Sequence, residues 1–169
     1  MRKTLSTLAL ALIMAVGLQA APKSASPGVP ADEAWTKLVK GNERYVRNLS
    51  VHPHVDAERR RELSRGQDPW AVVVGCSDSR VAPEIVFDQG LGDLYVVRDA
   101  GNSVQGTLPV ASVEYAVTHL HSNLVVVLGH SHCAAMKAAV DGVAQDNQSS
   151  LDALAAALKD PADEAKDKV

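Results

Sequence analysis

From Asp32 onward the apolar positions Trp35, Leu38, Val39, Val46 and Leu49 recur at helical spacing and predict a helix over residues 32–49 with one sticky face. Residues 56–65 form a second, strongly charged helical stretch, ended by Gly66 and followed by Asp68-Pro69. Three continuous apolar runs come next, over residues 70–75, 94–97 and 124–128, and such runs suit strands covered on both faces. Between the last two, Leu108, Val110, Val113, Ala116, Val117 and Leu120 mark an amphipathic helix. Strand and helix therefore alternate, as in an α/β fold with a parallel sheet core flanked by helices. A helix from Cys133 to about Val143 packs through Met136, Ala139 and Val140. An Ala/Leu helix over 152–159 is closed by Asp160-Pro161 and a charged tail.

The first twenty residues follow a different pattern. Arg2 and Lys3, an apolar stretch over 8–18 and a small-residue end at Ala20 read as a cleavable secretory signal over 1–20. Residues 21–30, rich in Pro, Ser and Ala, read as a flexible leader, and 31–169 as a single domain. The apolar stretch is short for a membrane span and none is expected in the mature chain, so the expected location is periplasmic or secreted. Removing the signal leaves 15 basic residues against 20 acidic ones, a formal charge of −5. With no basic stripe and no aromatic stacking platform, nucleic acid is not an expected partner.

The chemistry sits at strand ends. Cys76-Ser77-Asp78-Ser79-Arg80 closes the first apolar run and His130-Ser131-His132-Cys133 follows the third, where open α/β sheets place their sites. Two thiolates and one imidazole, Cys76, Cys133 and His130, suit an open zinc site whose fourth position is left for water. With only two cysteines in the chain, Asp78 is the nearest candidate for a fourth protein ligand. Cys133 is expected in the first turn of the next helix, where N–H groups and the helix dipole favour a thiolate. A Cys76–Cys133 disulfide is the plainer reading of two cysteines in an exported chain. It requires neither Asp78 and Arg80 after one cysteine nor His130 before the other. The pairs His52/His54 and His119/His121 read as a loop pair and a helix end rather than ligands. His132, beside the site, is a candidate proton shuttle or an exposed helix-start residue.

Together with Arg98-Asp99-Ala100-Gly101-Asn102 and Glu114-Tyr115-Ala116-Val117, these motifs fall in the order of the β-class carbonic anhydrases, which the chain resembles over residues 35–143. The resemblance implies a zinc-dependent, reversible hydration of carbon dioxide to bicarbonate and a proton by zinc-bound hydroxide. It implies one Zn2+ per chain held by Cys76, His130 and Cys133, with Asp78 and Arg80 as the catalytic dyad. Gln67, Tyr95, Ala100 and Tyr115 match substrate-facing positions, Gln67 reaching the pocket across a dimer interface. The implied assembly is a homodimer or higher homo-oligomer, with the sticky N-terminal helix embracing a partner. Because two thiolates neutralise the zinc charge, activity is expected to rise above neutral pH.

Ala134 and Asp99 depart from the family's usual Gly and Asn. Val73 stands where the bicarbonate-regulated branch carries Trp, so that allosteric site is not expected. The family's C-terminal strands have no counterpart here, which would leave the third strand as an open edge. Carbonyl sulfide or carbon disulfide hydrolysis is a variant within the fold. The alternative from another class is a non-catalytic zinc-binding or thiol-redox module.

Overall fold

A computed structural model describes residues 27–141 and 150–166 of the 169-residue chain. The expected signal, most of the leader and the helix end near Val143 lie outside the described residues. Strands β1 (Ala71–Cys76), β2 (Leu94–Asp99) and β3 (Val125–Leu128) form a parallel sheet in the order β2-β1-β3. Helices α1 (Ala31–Val46), α2 (Ala57–Leu63), α3 (Pro83–Val86), α4 (Thr107–His119), α5 (Ala134–Asp141) and α6 (Ser150–Lys166) flank it. The α/β class read from the apolar runs is the architecture found. Among the described residues no helix is long and apolar enough to cross a membrane.

The central strand explains the core. All six residues of β1 are buried. On one face Ala71 and Val73 pack with Ala34 and Leu38 of α1 and with Phe87; on the other Val72 and Val74 pack with Ala116 of α4. The expectation of two covered faces does not hold for β3, where Val125 and Val127 are 43% and 64% exposed. A helix about 10 Å across covers roughly two strands spaced about 4.8 Å apart. Helix α4 packs over β1 and β2. Between α4 and β3, Val125 and Val127 line an open apolar groove with Val110, Val113 and Val117.

The single sticky face expected of α1 divides in two. Ala34 and Leu38 face the core, whereas Trp35, Val46 and, beyond the helix end, Leu49 are more than half exposed. Gly41 lets the helix approach α3, since a β-carbon there would lie 1.7 Å from the Phe87 carbonyl oxygen. Helix α2 is solvated throughout, with Asp56 accepting the Arg59 N–H as its cap. Helix α3, opened by Pro83, is too short to leave a periodic signal in the sequence.

The loop between α1 and α2 is fastened by two buried carboxylates. Asp88 accepts Arg44 Nε at 2.6 Å and the N–H groups of Val51 and His52 at 3.1 and 3.0 Å. Asp93 holds His54 Nδ1 at 2.8 Å, which accounts for that histidine without a metal.

Helix α6 corrects the expected stop at Asp160-Pro161, since it runs on to Lys166. Proline lacks an N–H, so Pro161 leaves the Ala157 carbonyl without its intrahelical donor. The side-chain amide of Gln105 donates to that carbonyl instead.

Candidate metal centre

Parallel pairing brings the ends of β1 and β3 side by side, because Gly75 stands opposite Leu128. Cys76 is therefore the last residue of β1 rather than the first beyond it, and His130 follows β3 by two residues. Cys133 precedes α5, its carbonyl accepting the Lys137 N–H at 2.9 Å, so it caps the helix instead of lying in its first turn. The metal-binding atoms of Cys76, His130 and Cys133 lie within 4.8 Å of one another. Among the described residues this is the group of His, Cys and carboxylate side chains able to hold an ion.

The donor geometry fits zinc. The two sulfurs are 3.9 Å apart, close to the roughly 3.8 Å between thiolates on a tetrahedral ion with bonds of about 2.3 Å. That spacing is far beyond a disulfide bond of about 2.05 Å, and both cysteines are free. His130 Nδ1 is 3.1 Å from the Ser131 carbonyl, which can only accept, so the proton sits on Nδ1. Nε2 is left with a lone pair, buried and without a hydrogen-bond partner. A bound cation would satisfy it.

Electrostatics favour the ligand form. Burial pushes the Cys76 thiol up, but His130, the N–H groups of Asp78 and Gly101, and Cys133 together outweigh it and bring the thiol from 9.0 to about 7. The neighbouring Cys76 sulfur in turn raises the His130 imidazole, against the opposing effect of burial.

Asp78 is held by Arg80 at both carboxylate oxygens, Nε to Oδ1 at 2.9 Å and Nη2 to Oδ2 at 2.7 Å. The Arg80 N–H adds a third bond to Oδ1 at 3.0 Å. This fork keeps the carboxyl well below the usual carboxylate range, with Oδ2 4.0 Å from His130 Nε2. Arg80 Nη2 also donates to the His132 carbonyl at 3.2 Å, joining the two motifs. His132 itself takes a left-handed backbone, φ 57°, at that junction.

Two contributors escaped the reading of the sequence. Arg98, on β2, donates from Nε to the Cys76 carbonyl at 2.8 Å and from Nη2 to the Asp78 carbonyl at 2.6 Å, fixing the loop that carries both. Gly101, φ 70°, donates its N–H to Cys76 Sγ at 3.3 Å. The signal was the run Arg98 to Asn102 closing a strand, in which the glycine allows the left-handed turn.

The remaining candidates are dispersed. Ala100 opens the Ala100–Asn102 turn beside Gly101. Tyr95 stands opposite Val72, about 13 Å below Cys76 at some 3.3 Å per residue, with its ring 6.5 Å from that of Tyr115. Tyr115 stacks on His119 at 5.0 Å. Gln67 lies beyond the opposite end of β1, in a groove with Leu63, Leu91 and Gly92. Within one chain, these three do not join the cluster.

A family profile described as carbonic anhydrase matches residues 71–169. Carbonic anhydrase 2 of Mycobacterium tuberculosis is 50% identical over 110 residues, covering 65% of this chain and 53% of the relative. The chain thus spans about half the length of that relative. The structure of the β-carbonic anhydrase CcaA superposes with a TM-score of 0.55 at 32% identity, over 80% of this chain and 60% of that one. A tetrameric β-carbonic anhydrase from Sordaria macrospora gives a TM-score of 0.56 at 27% identity, over 82% and 70%.

Proposed function

The chain belongs to the β-carbonic anhydrase family, and from that membership we propose that it binds one zinc ion through Cys76, His130 and Cys133 and reversibly hydrates carbon dioxide to bicarbonate and a proton. The observation that carries this reading is the pair of sulfurs at metal spacing beside a buried imidazole nitrogen with no hydrogen-bond partner. Zinc bound there would supply a Lewis acid that acidifies water, less strongly than a site of neutral ligands because two thiolates offset its charge.

The protein's own side chains do the rest. Asp78, ionised and 4.0 Å from His130 Nε2, is placed to accept a hydrogen bond from the reacting water and orient it. Arg80 occupies both of its oxygens, which keeps the carboxylate from turning onto the metal as a fourth ligand. Gly101 and Arg98 hold the sulfur and the loop in place.

Gln67, Tyr95 and Tyr115 lie away from their own chain's cluster and are proposed to line a carbon dioxide pocket in a homodimer, with Ala100 beside the metal. The exposed Trp35, Val46 and Leu49 supply apolar surface for the second copy. The N-terminal pattern supports an exported, periplasmic or secreted protein.

Metal analysis with thiol counting, followed by stopped-flow carbon dioxide hydration on the purified chain, tests the proposal. One zinc and two protected thiols per chain, with activity abolished by chelation, is the expected result. A Cys76–Cys133 disulfide without zinc would overturn it in favour of a thiol-redox module.

A further inference from the structure

Helix α6 lies over the Ala100–Asn102 turn. A β-carbon at Gly101 would come within 2.7 Å of Leu158 Cδ1 and 3.4 Å of Ala135 Cβ, so the leucine is seated directly on the glycine. Leu158 is 4% exposed and packs with Ala135, Met136 and Ala139 of α5. Helix α5 starts immediately after Cys133. One side chain therefore touches both the turn whose N–H reaches the Cys76 sulfur and the helix that begins at the other thiol.

A polar tie fixes the same docking. Gln105, four residues past Gly101, donates to the Ala157 carbonyl that Pro161 leaves unpaired. If α6 moved off the turn, that carbonyl would lose its donor along with the apolar contact.

We propose that Leu158 is a positioning residue for the metal centre. By docking α6 against the turn and α5 together, it holds the Gly101 N–H on Cys76 and sets the spacing of the two sulfurs. The inference rests on the reading of Cys76, His130 and Cys133 as a zinc site. Leu158 itself meets neither the metal nor the substrate. Truncating it opens a void against the left-handed glycine turn, and the outer partners of a metal site typically govern its affinity by about 10- to 100-fold.

The test measures zinc affinity of the full chain by chelator competition, and the thiolate-to-metal charge-transfer absorption after cobalt substitution. Leu158→Ala is expected to weaken zinc binding about tenfold or more and to alter the cobalt band. Leu158→Met, close in volume, is expected to restore both. Leu38→Ala, an equally buried leucine on the α1 face, is expected to lower the unfolding midpoint while leaving affinity and spectrum unchanged. Native affinity and spectrum in a folded Leu158→Ala chain would overturn the proposal, as would an equal loss in Leu38→Ala. If Leu158→Ala does not fold, Gln105→Ala unties the same helix without opening the core, and unchanged affinity there would overturn it too. A wild-type chain that binds no zinc would defeat the metal-site reading itself, a result distinct from normal binding that Leu158 fails to influence.

Discussion

Arg80 grips Asp78 as a planar fork, with 2.9 and 2.7 Å between the paired atoms, and the same Nη2 reaches the carbonyl of His132 at 3.2 Å. One guanidinium thereby aims the carboxylate and ties the Cys76 loop to the His130 loop. Lysine could not span this arrangement, since its single ammonium lacks the rigid two-pronged geometry.

Arg80→Ala should reduce carbon dioxide hydration by about 10²-fold or more, because a misplaced orienting group alone can cost that much. Zinc content should remain near one per chain, as Arg80 is not a ligand. Paired metal analysis and stopped-flow rates check both halves, and full activity in the variant would remove Arg80 from the mechanism.

Arg98 acts on the backbone instead. Arg98→Ala strips donors from the carbonyls of Cys76 and Asp78 and is expected to weaken zinc binding by about 10- to 100-fold. Arg98→Lys should not recover it. Equal chelator resistance in wild type and Arg98→Ala would show that the loop holds itself.

Metal uptake should depend on pH in a definite direction. The Cys76 thiol, at about 7 before metal binds, must lose its proton to become a ligand, and as pH falls the raised His130 imidazole takes a proton on the nitrogen the metal would use. Apparent zinc affinity is therefore expected to fall as pH drops through about 7, with protons released on binding. Titration calorimetry in buffers of different ionisation enthalpy measures that release; affinity independent of pH from 8 to 6 would contradict it.

Stability has a separate acid limit. Burial alone would raise the Asp88 carboxyl, but Arg44 and the N–H groups of Val51 and His52 more than offset it and leave it below 3.8. A depressed carboxylate contributes stability that is complete above its unfolded value, about 4, and is lost as pH falls through its lower folded value. Asp88→Asn should cost about 1.5–3 kcal/mol at pH 7, typical of a hydrogen bond to a charged group. The gap to wild type should narrow only below about pH 4. Urea unfolding at pH 7 and pH 3 gives the comparison, and equal stability at pH 7 would show the anchor to be idle.

Much of the site was legible because its chemistry is local. Asp78 and Arg80 stand two apart, so one turn brings them together, and His130 and Cys133 are set by the same short loop. Arg98 was not assigned a role because its targets are backbone carbonyls 20 and 22 residues away, which side-chain spacing does not reveal. The exposed face of β3 is hidden from the sequence for a related reason. A run of valines reports β propensity, whereas coverage depends on how far α4 reaches across the sheet.

The end of α6 is not legible locally because Pro161 forbids one backbone bond, and Gln105, 52 residues before Ala157, supplies its replacement. Periodicity and residue type by themselves determined the α/β class, the order of the three strands and the longer helices along the chain, and the three side chains that could hold a metal. Tertiary structure alone decided that two sulfurs meet at 3.9 Å, that Gly101 donates to one of them, and that Leu158 closes over that turn. The division is physical: propensity and pattern are carried by neighbours in sequence, while distances between ligands are set by strand register and by which helices pack over which strands.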